Sequence, residues 1–109
     1  MKLQILIPVI FTLSLSIAHS DEAKGKELYL SYGKGGCVEC HGETGNEPIV
    51  PIYPKIGGQS YIYLYKQMLD YKTGLRTNGL AVTMKTALEP FTEDEIKAIA
   101  EYLANQEPF

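Results

Sequence analysis

The apolar positions of this chain fall into a few stretches of regular spacing, each bounded by residues that start or stop a helix. The clearest lies near the C-terminus, where Ile96, Ile99, Ala100 and Leu103 recur at i, i+3, i+4 and i+7 and line one helical face. Thr92-Glu93-Asp94-Glu95 just before it reads as a capping box. The Thr92 hydroxyl can accept the Glu95 backbone N–H while the Glu95 carboxylate reaches back. A second helix is predicted after Ser60 as N-cap, with Tyr61, Tyr65, Met68 and Tyr71-Lys72 at helical spacing beside Ile62 and Leu69; Gly74 stops it. An earlier helix is expected from about Asp21 to Tyr32, carrying Ala23, Leu28 and Leu30 and ended by Gly33, Gly35 and Gly36. Pro48, Pro51 and Pro54 mark a loop from Gly42 to Gly58. No run alternates with the period of a strand, so the expected fold class is all-α, with three main helices.

The opening residues follow another pattern. Lys2 precedes an apolar run from Leu3 to Ile17, interrupted by Gln4, Pro8, Thr12, Ser14 and Ser16. Ala18-His19-Ser20 then places small residues where a signal peptidase reads them. Residues 1–20 are expected to be a cleaved leader and 21–109 one exported domain, with the cut between Ser20 and Asp21. The run is shorter than the roughly 20 apolar residues that span a bilayer. No stable membrane insertion is therefore expected after cleavage.

The chemistry sits in five contiguous residues. Cys37-Val38-Glu39-Cys40-His41 reads C-x-x-C-H, the attachment signature of haem c. Two thiols separated by two residues on a helical turn can each add to one vinyl group of a porphyrin. The histidine that follows then sits under the iron. Other readings of these residues fit less well. A zinc site wants four ligands, usually in two pairs. A thioredoxin-type dithiol wants a βαβ context, and a disulfide closing so short a loop would constrain the unfolded chain little. A covalent haem would also give a small domain the rigid apolar centre and crosslink that its size otherwise denies it.

The second axial ligand follows by elimination. His19 leaves with the leader, so His41 is the histidine that remains, and two histidines cannot both ligate within one mature chain. Met68 and Met84 are the candidates. Met68 falls on the apolar face of the second helix, where core packing accounts for it. Met84 lies between Gly79 and the capped last helix, in a segment expected to fold over the second haem face, and is the expected ligand. A Met/His pair raises the reduction potential and leaves iron no vacant position for a substrate.

The formal net charge is −3; with Lys2 gone, nine basic residues stand against thirteen acidic ones. That balance argues against nucleic-acid binding and predicts a redox partner that docks through a basic patch.

These residues resemble the class I bacterial cytochromes c, and within them the small monohaem group similar to cytochromes c5 and c553 and to single domains of cytochrome c4. The likeness runs from Gly25 and Tyr29 through Cys37-x-x-Cys40-His41 and Pro54-Lys55-Ile56-Gly57-Gly58-Gln59. It continues through Tyr63-x-x-Lys66-Gln67-Met68 and Tyr71-Lys72-x-Gly74-x-Arg76 to Met84 and Tyr102-Leu103. The resemblance implies a cytochrome c fold around one covalently bound haem, with the first helix crossing the last near Tyr102 at Gly25. It also implies that the Pro54 carbonyl accepts the His41 Nδ1–H, that Ile56 packs on the haem, and that Gln59 and Arg76 contact its propionates. Arg76 as a mere cap of the second helix stays open. A second C-x-x-C-H is missing, which removes a dihaem reading, and there is no further cysteine pair.

The expected function is a soluble periplasmic carrier of single electrons that is not an enzyme. A haem subunit of a larger dehydrogenase, such as a flavin-containing sulfide dehydrogenase, is the alternative. An open-iron sensor or peroxidase would require Met84 not to coordinate.

Overall fold

The computed structural model of the protein describes residues 3–9 and 16–109. Helices alone make up its regular structure among those residues: α1 (Ser16–Tyr29), α2 (Cys37–His41), α3 (Tyr61–Thr73), α4 (Ala81–Leu88) and α5 (Glu93–Ala104). The expected leader lies partly outside the described residues. Residues 3–9 carry no regular structure, and α1 runs through the expected cut. No described helix is long and apolar enough to cross a membrane.

α3 and α5 stand where their boundary signals put them, whereas α1 departs at both ends, beginning at Ser16 instead of Asp21. α1 ends at Tyr29 rather than Tyr32. There the Ser31 hydroxyl donates to the Glu27 carbonyl at 2.7 Å and the Ser31 N–H turns to the Leu28 carbonyl. A serine that satisfies backbone groups locally competes with helix continuation. For α3, the Ser60 hydroxyl accepts the Tyr63 N–H and Gly74 closes the last turn onto the Tyr71 carbonyl. Both halves of the capping box form on α5: the Glu95 N–H reaches the Thr92 hydroxyl at 3.2 Å and the Thr92 N–H reaches the Glu95 carboxylate at 2.9 Å.

Two shorter helices come in addition. α2 holds the C-x-x-C-H residues, and α4 occupies the stretch between Gly79 and the capped last helix, where no helix is expected. The sequence of α4 hides it. Val82, Thr83 and Thr86 are β-branched and weaken helix propensity, and Leu80 at its N-cap makes no side-chain capping bond.

The core forms where α5 meets its neighbours. Ile96, Ile99, Ala100 and Leu103 of its apolar stripe are each at most 1 % exposed, and they join Leu28, Tyr29, Leu64, Met68, Leu88 and Phe91. α5 packs on α1 and α3, while α4 packs on α3. At the α1–α5 crossing the close approach falls at Ala98, one turn before the expected Tyr102. A Cβ on Gly25 would run into the Ala98 carbonyl. Beside it, the Tyr29 and Tyr102 rings lie 5.4 Å apart at 40°.

The loop between α2 and α3 is long, yet tightly held. Ile56 N–H donates to Gly45 at 2.9 Å and Gly58 N–H to Leu103 at 2.8 Å. The Asn46 amide bonds both the N–H and the carbonyl of Gly57 and also the Glu107 carbonyl at 2.8 Å. Long structureless loops in small domains are uncommon unless they serve a site. This one forms a wall.

Candidate functional site

α2 fixes the reactive groups. Cys37 and Cys40 are three residues apart on this one-turn helix, so both thiols share a face, and His41 follows directly. Gly42, with φ 83°, then turns the chain out of the helix at an angle that an L side chain rarely takes. Two tyrosine hydroxyls hold the segment after the turn: Tyr29 donates to the Gly42 carbonyl at 2.6 Å and Tyr102 to the Glu43 carbonyl at 2.7 Å. Burial, helped by neighbouring ionisable groups, raises both phenols. They therefore stay protonated and able to donate.

His41 is 5 % exposed, and its Nδ1 lies 3.0 Å from the Pro54 carbonyl. A carbonyl can only accept, so Nδ1 carries the proton and Nε2 keeps a free lone pair. Burial pushes the histidine below its ordinary pKa, and the Pro54 carbonyl opposes that only in part. The ring is a neutral donor at neutral pH. The Tyr53 ring flanks it at 6.3 Å.

Both cysteines are free thiols, half-buried. Burial pushes Cys37 up to about 11, so its sulfur is protonated at neutral pH. A redox-active dithiol needs the opposite, a depressed thiolate. Among the described residues no three His, Cys, Asp or Glu side chains gather as ligands for a bare metal ion.

These groups open into one cavity of about 450 Å³, a volume typical of cofactor sites. Cys37, Cys40 and His41 of α2 line one part. The loop contributes Pro54, Ile56 and Gln59. Leu64 and Met68 of α3, Met84 and Leu88 of α4, and Ile99 and Leu103 of α5 supply apolar surface. Both methionines thus reach the cavity. Met68 is 8 % exposed and belongs to the core, whereas Met84 is only partly buried and packs against it. Cavity shape alone does not choose between their sulfurs.

Arg76 lines the cavity as well. Its Nη1 donates to the Gln67 side chain at 2.8 Å and its Nε to Asn78 at 3.2 Å, with the guanidinium 4.5 Å from the centre of the Tyr71 ring. The side chain therefore turns into the cavity instead of capping the carbonyls that end α3. Gln59 donates to the Lys55 carbonyl at 3.3 Å. Gln67, Asn78, Tyr53 and Tyr63 also line the cavity, although sequence reasoning gave them no role there. The i, i+4 spacing of Tyr63 and Gln67 was the available signal.

The residues fit a flat apolar group that carries two thiol-reactive substituents, a metal wanting one imidazole and one soft donor, and acidic edges. Two thiols, a neutral imidazole with a free lone pair, two thioethers and one guanidinium border a single, mainly apolar space.

The comparisons with known proteins agree. The Cytochrome c family matches residues 22–107. Cytochrome c-554(548) of Halomonas halodenitrificans is 38% identical over 73 residues, 67% of this chain and 87% of that protein. The cytochrome subunit of sulfide dehydrogenase of Chlorobaculum tepidum is 37% identical over 84 residues, 77% of this chain and 67% of that protein. In fold, the crystal structure of reduced recombinant cytochrome c4 from Pseudomonas stutzeri superposes with a TM-score of 0.68 at 24% identity, covering 82% of this chain and 50% of that one. The chain spans about half the length of the cytochrome c4 relatives it matches.

Proposed function

The chain belongs to the cytochrome c family, and on that footing we propose that it is a monohaem carrier of single electrons. One observation carries the reading: two thiols, a carbonyl-anchored imidazole and a methionine sulfur border one apolar cavity. Cys37 and Cys40 would hold haem c through thioether links, and His41 Nε2 and the Met84 sulfur would hold its iron. Bound there, the group would supply one-electron chemistry.

The chain's own residues set the conditions for that exchange. Pro54 fixes the tautomer and orientation of His41 and makes it a better donor. Tyr29 and Tyr102 hold the backbone beyond it. Ile56, Leu64, Leu88, Ile99 and Leu103 keep water from the cavity. Arg76, with Gln59 as the weaker candidate, would meet the propionates, and the guanidinium suits a carboxylate through its paired donors.

Export completes the proposal. The apolar run from Leu3 to Ile17 and the small residues before Asp21 support a cleaved leader and a periplasmic location. The acidic excess supports a partner with a basic docking patch. The likeness to a dehydrogenase's cytochrome subunit favours a second reading, in which the same site relays electrons inside a larger enzyme.

One fractionation distinguishes them. Native haem protein should be recovered from the periplasm with Asp21 as its first residue. It should elute alone as a small species and give a reversible one-electron wave. Co-elution with a larger flavoprotein would favour the subunit reading, and an intact Met1 on membrane-bound holoprotein would contradict the cleaved leader.

A further inference from the structure

Lys72 lies in the last turn of α3, and its ammonium reaches three carbonyls beyond its own helix. It donates to Leu88 at 3.2 Å, Glu89 at 3.1 Å and Phe91 at 2.6 Å. An ammonium has three N–H donors, so all are committed to the corner between α4 and α5. Among the described residues no carboxylate forms an ion pair with it.

α4 needs such a contact. With eight residues it is too short to hold by itself in water. Leu80 at its N-cap makes no side-chain bond, and Glu89 at its C-cap stays right-handed instead of forming a left-handed stop. Pro90 then has no N–H to give back. The negative end of the helix dipole faces the Lys72 charge, which takes the Glu89 and Phe91 carbonyls and shares the Leu88 carbonyl with the Phe91 N–H. Met84 stands one turn before Leu88 on the same helix, and both line the cavity.

We propose that Lys72 is a positioning residue for the sixth ligand: by fixing the end of α4 it keeps the Met84 sulfur on the cavity wall. The inference rests on the reading of Met84 as ligand. Hydrogen bonds from a charged donor are the stronger kind. Without the ammonium the Glu89 and Phe91 carbonyls lose their donor and Leu88 keeps only the Phe91 N–H, so α4 can draw away more often.

Cyanide is the probe, since it binds oxidised haem protein only after the sixth ligand has left. In stopped-flow measurements on the holoprotein, Lys72→Met should bind cyanide at least about tenfold faster. Lys72→Arg, which keeps a charged multiple donor, should return to within about threefold of wild type. Lys72→Gln, milder than Lys72→Met, should fall between them and carries the test if Lys72→Met does not fold. Ser60→Ala removes the capping bond at the far end of the same helix, destabilises α3, and should leave cyanide binding unchanged. Wild-type rates in the Lys72 variants, or an equal acceleration in Ser60→Ala, would overturn the inference. The far-red absorption of the oxidised wild type separates this from failure of the underlying reading. If that band is missing, the ligand assignment falls and this inference with it. If the band is present and Met84→Ala abolishes it while the Lys72 variants bind cyanide at the wild-type rate, only the role of Lys72 falls.

Discussion

Gly25→Ala should destabilise this protein by about 3 kcal/mol, a severe overpacking effect. In an isolated helix the same change would stabilise by up to about 1 kcal/mol, because glycine is the poorer helix former. The contact reverses the sign. The added Cβ meets backbone, the Ala98 carbonyl of α5, and no rotamer can relieve a clash with a main-chain atom. Only separation of α1 from α5 does so, and that separation strips the cover from Ile99 and Leu103, which line the cavity. For a domain of this size the melting midpoint should fall by roughly 12–24 °C. Haem absorbance and far-ultraviolet dichroism should report one common transition, since the same helices build core and site. A midpoint unchanged or raised in Gly25→Ala would mean that the two helices do not cross in contact there.

Met84→Ala should change the electronic character of the site without unfolding the protein. Loss of the thioether should abolish the weak far-red sulfur-to-iron absorption of the oxidised form and let carbon monoxide bind the reduced form. The potential should drop by on the order of 100 mV or more, a fraction of the ~0.8 V range that axial ligands span. Met68→Ala should do the reverse. Its side chain is 8 % exposed and belongs to the core, so truncation should cost roughly 2–5 kcal/mol and keep the band. Both sulfurs border the cavity, which makes the pair of variants decisive. Survival of the band in Met84→Ala together with its loss in Met68→Ala would exchange the two assignments.

Features written in neighbouring residues were legible in the amino-acid sequence alone. The capping box of α5, the Ser60 and Gly74 bounds of α3 and the C-x-x-C-H run each depend on residues within a turn or two. α4 escaped because β-branched residues and a missing cap weakened its local signal. Yet Leu80, Ala81, Met84, Ala87 and Leu88 do recur at helical spacing. What could not be read were contacts set by how helices cross. The resemblance placed Gly25 near Tyr102, and the crossing brings it to Ala98. Arg76 was equally open to capping α3 or facing the cavity until the chain after Gly74 brought it to Gln67 and Asn78. The partners of Lys72 exist only once α4 has folded against α3.

Covalent haem is the claim on which the rest depends, and Cys37 and Cys40 are the chain's only two cysteines. The most direct test is a denaturing gel stained for haem, run on protein made in a host with working haem c maturation. The polypeptide band should stain and keep its colour after extraction with acidified acetone, and replacement of both cysteines by serine should abolish the stain. A colourless wild-type band from that host would contradict the assignment of Cys37 and Cys40 as haem-bearing residues.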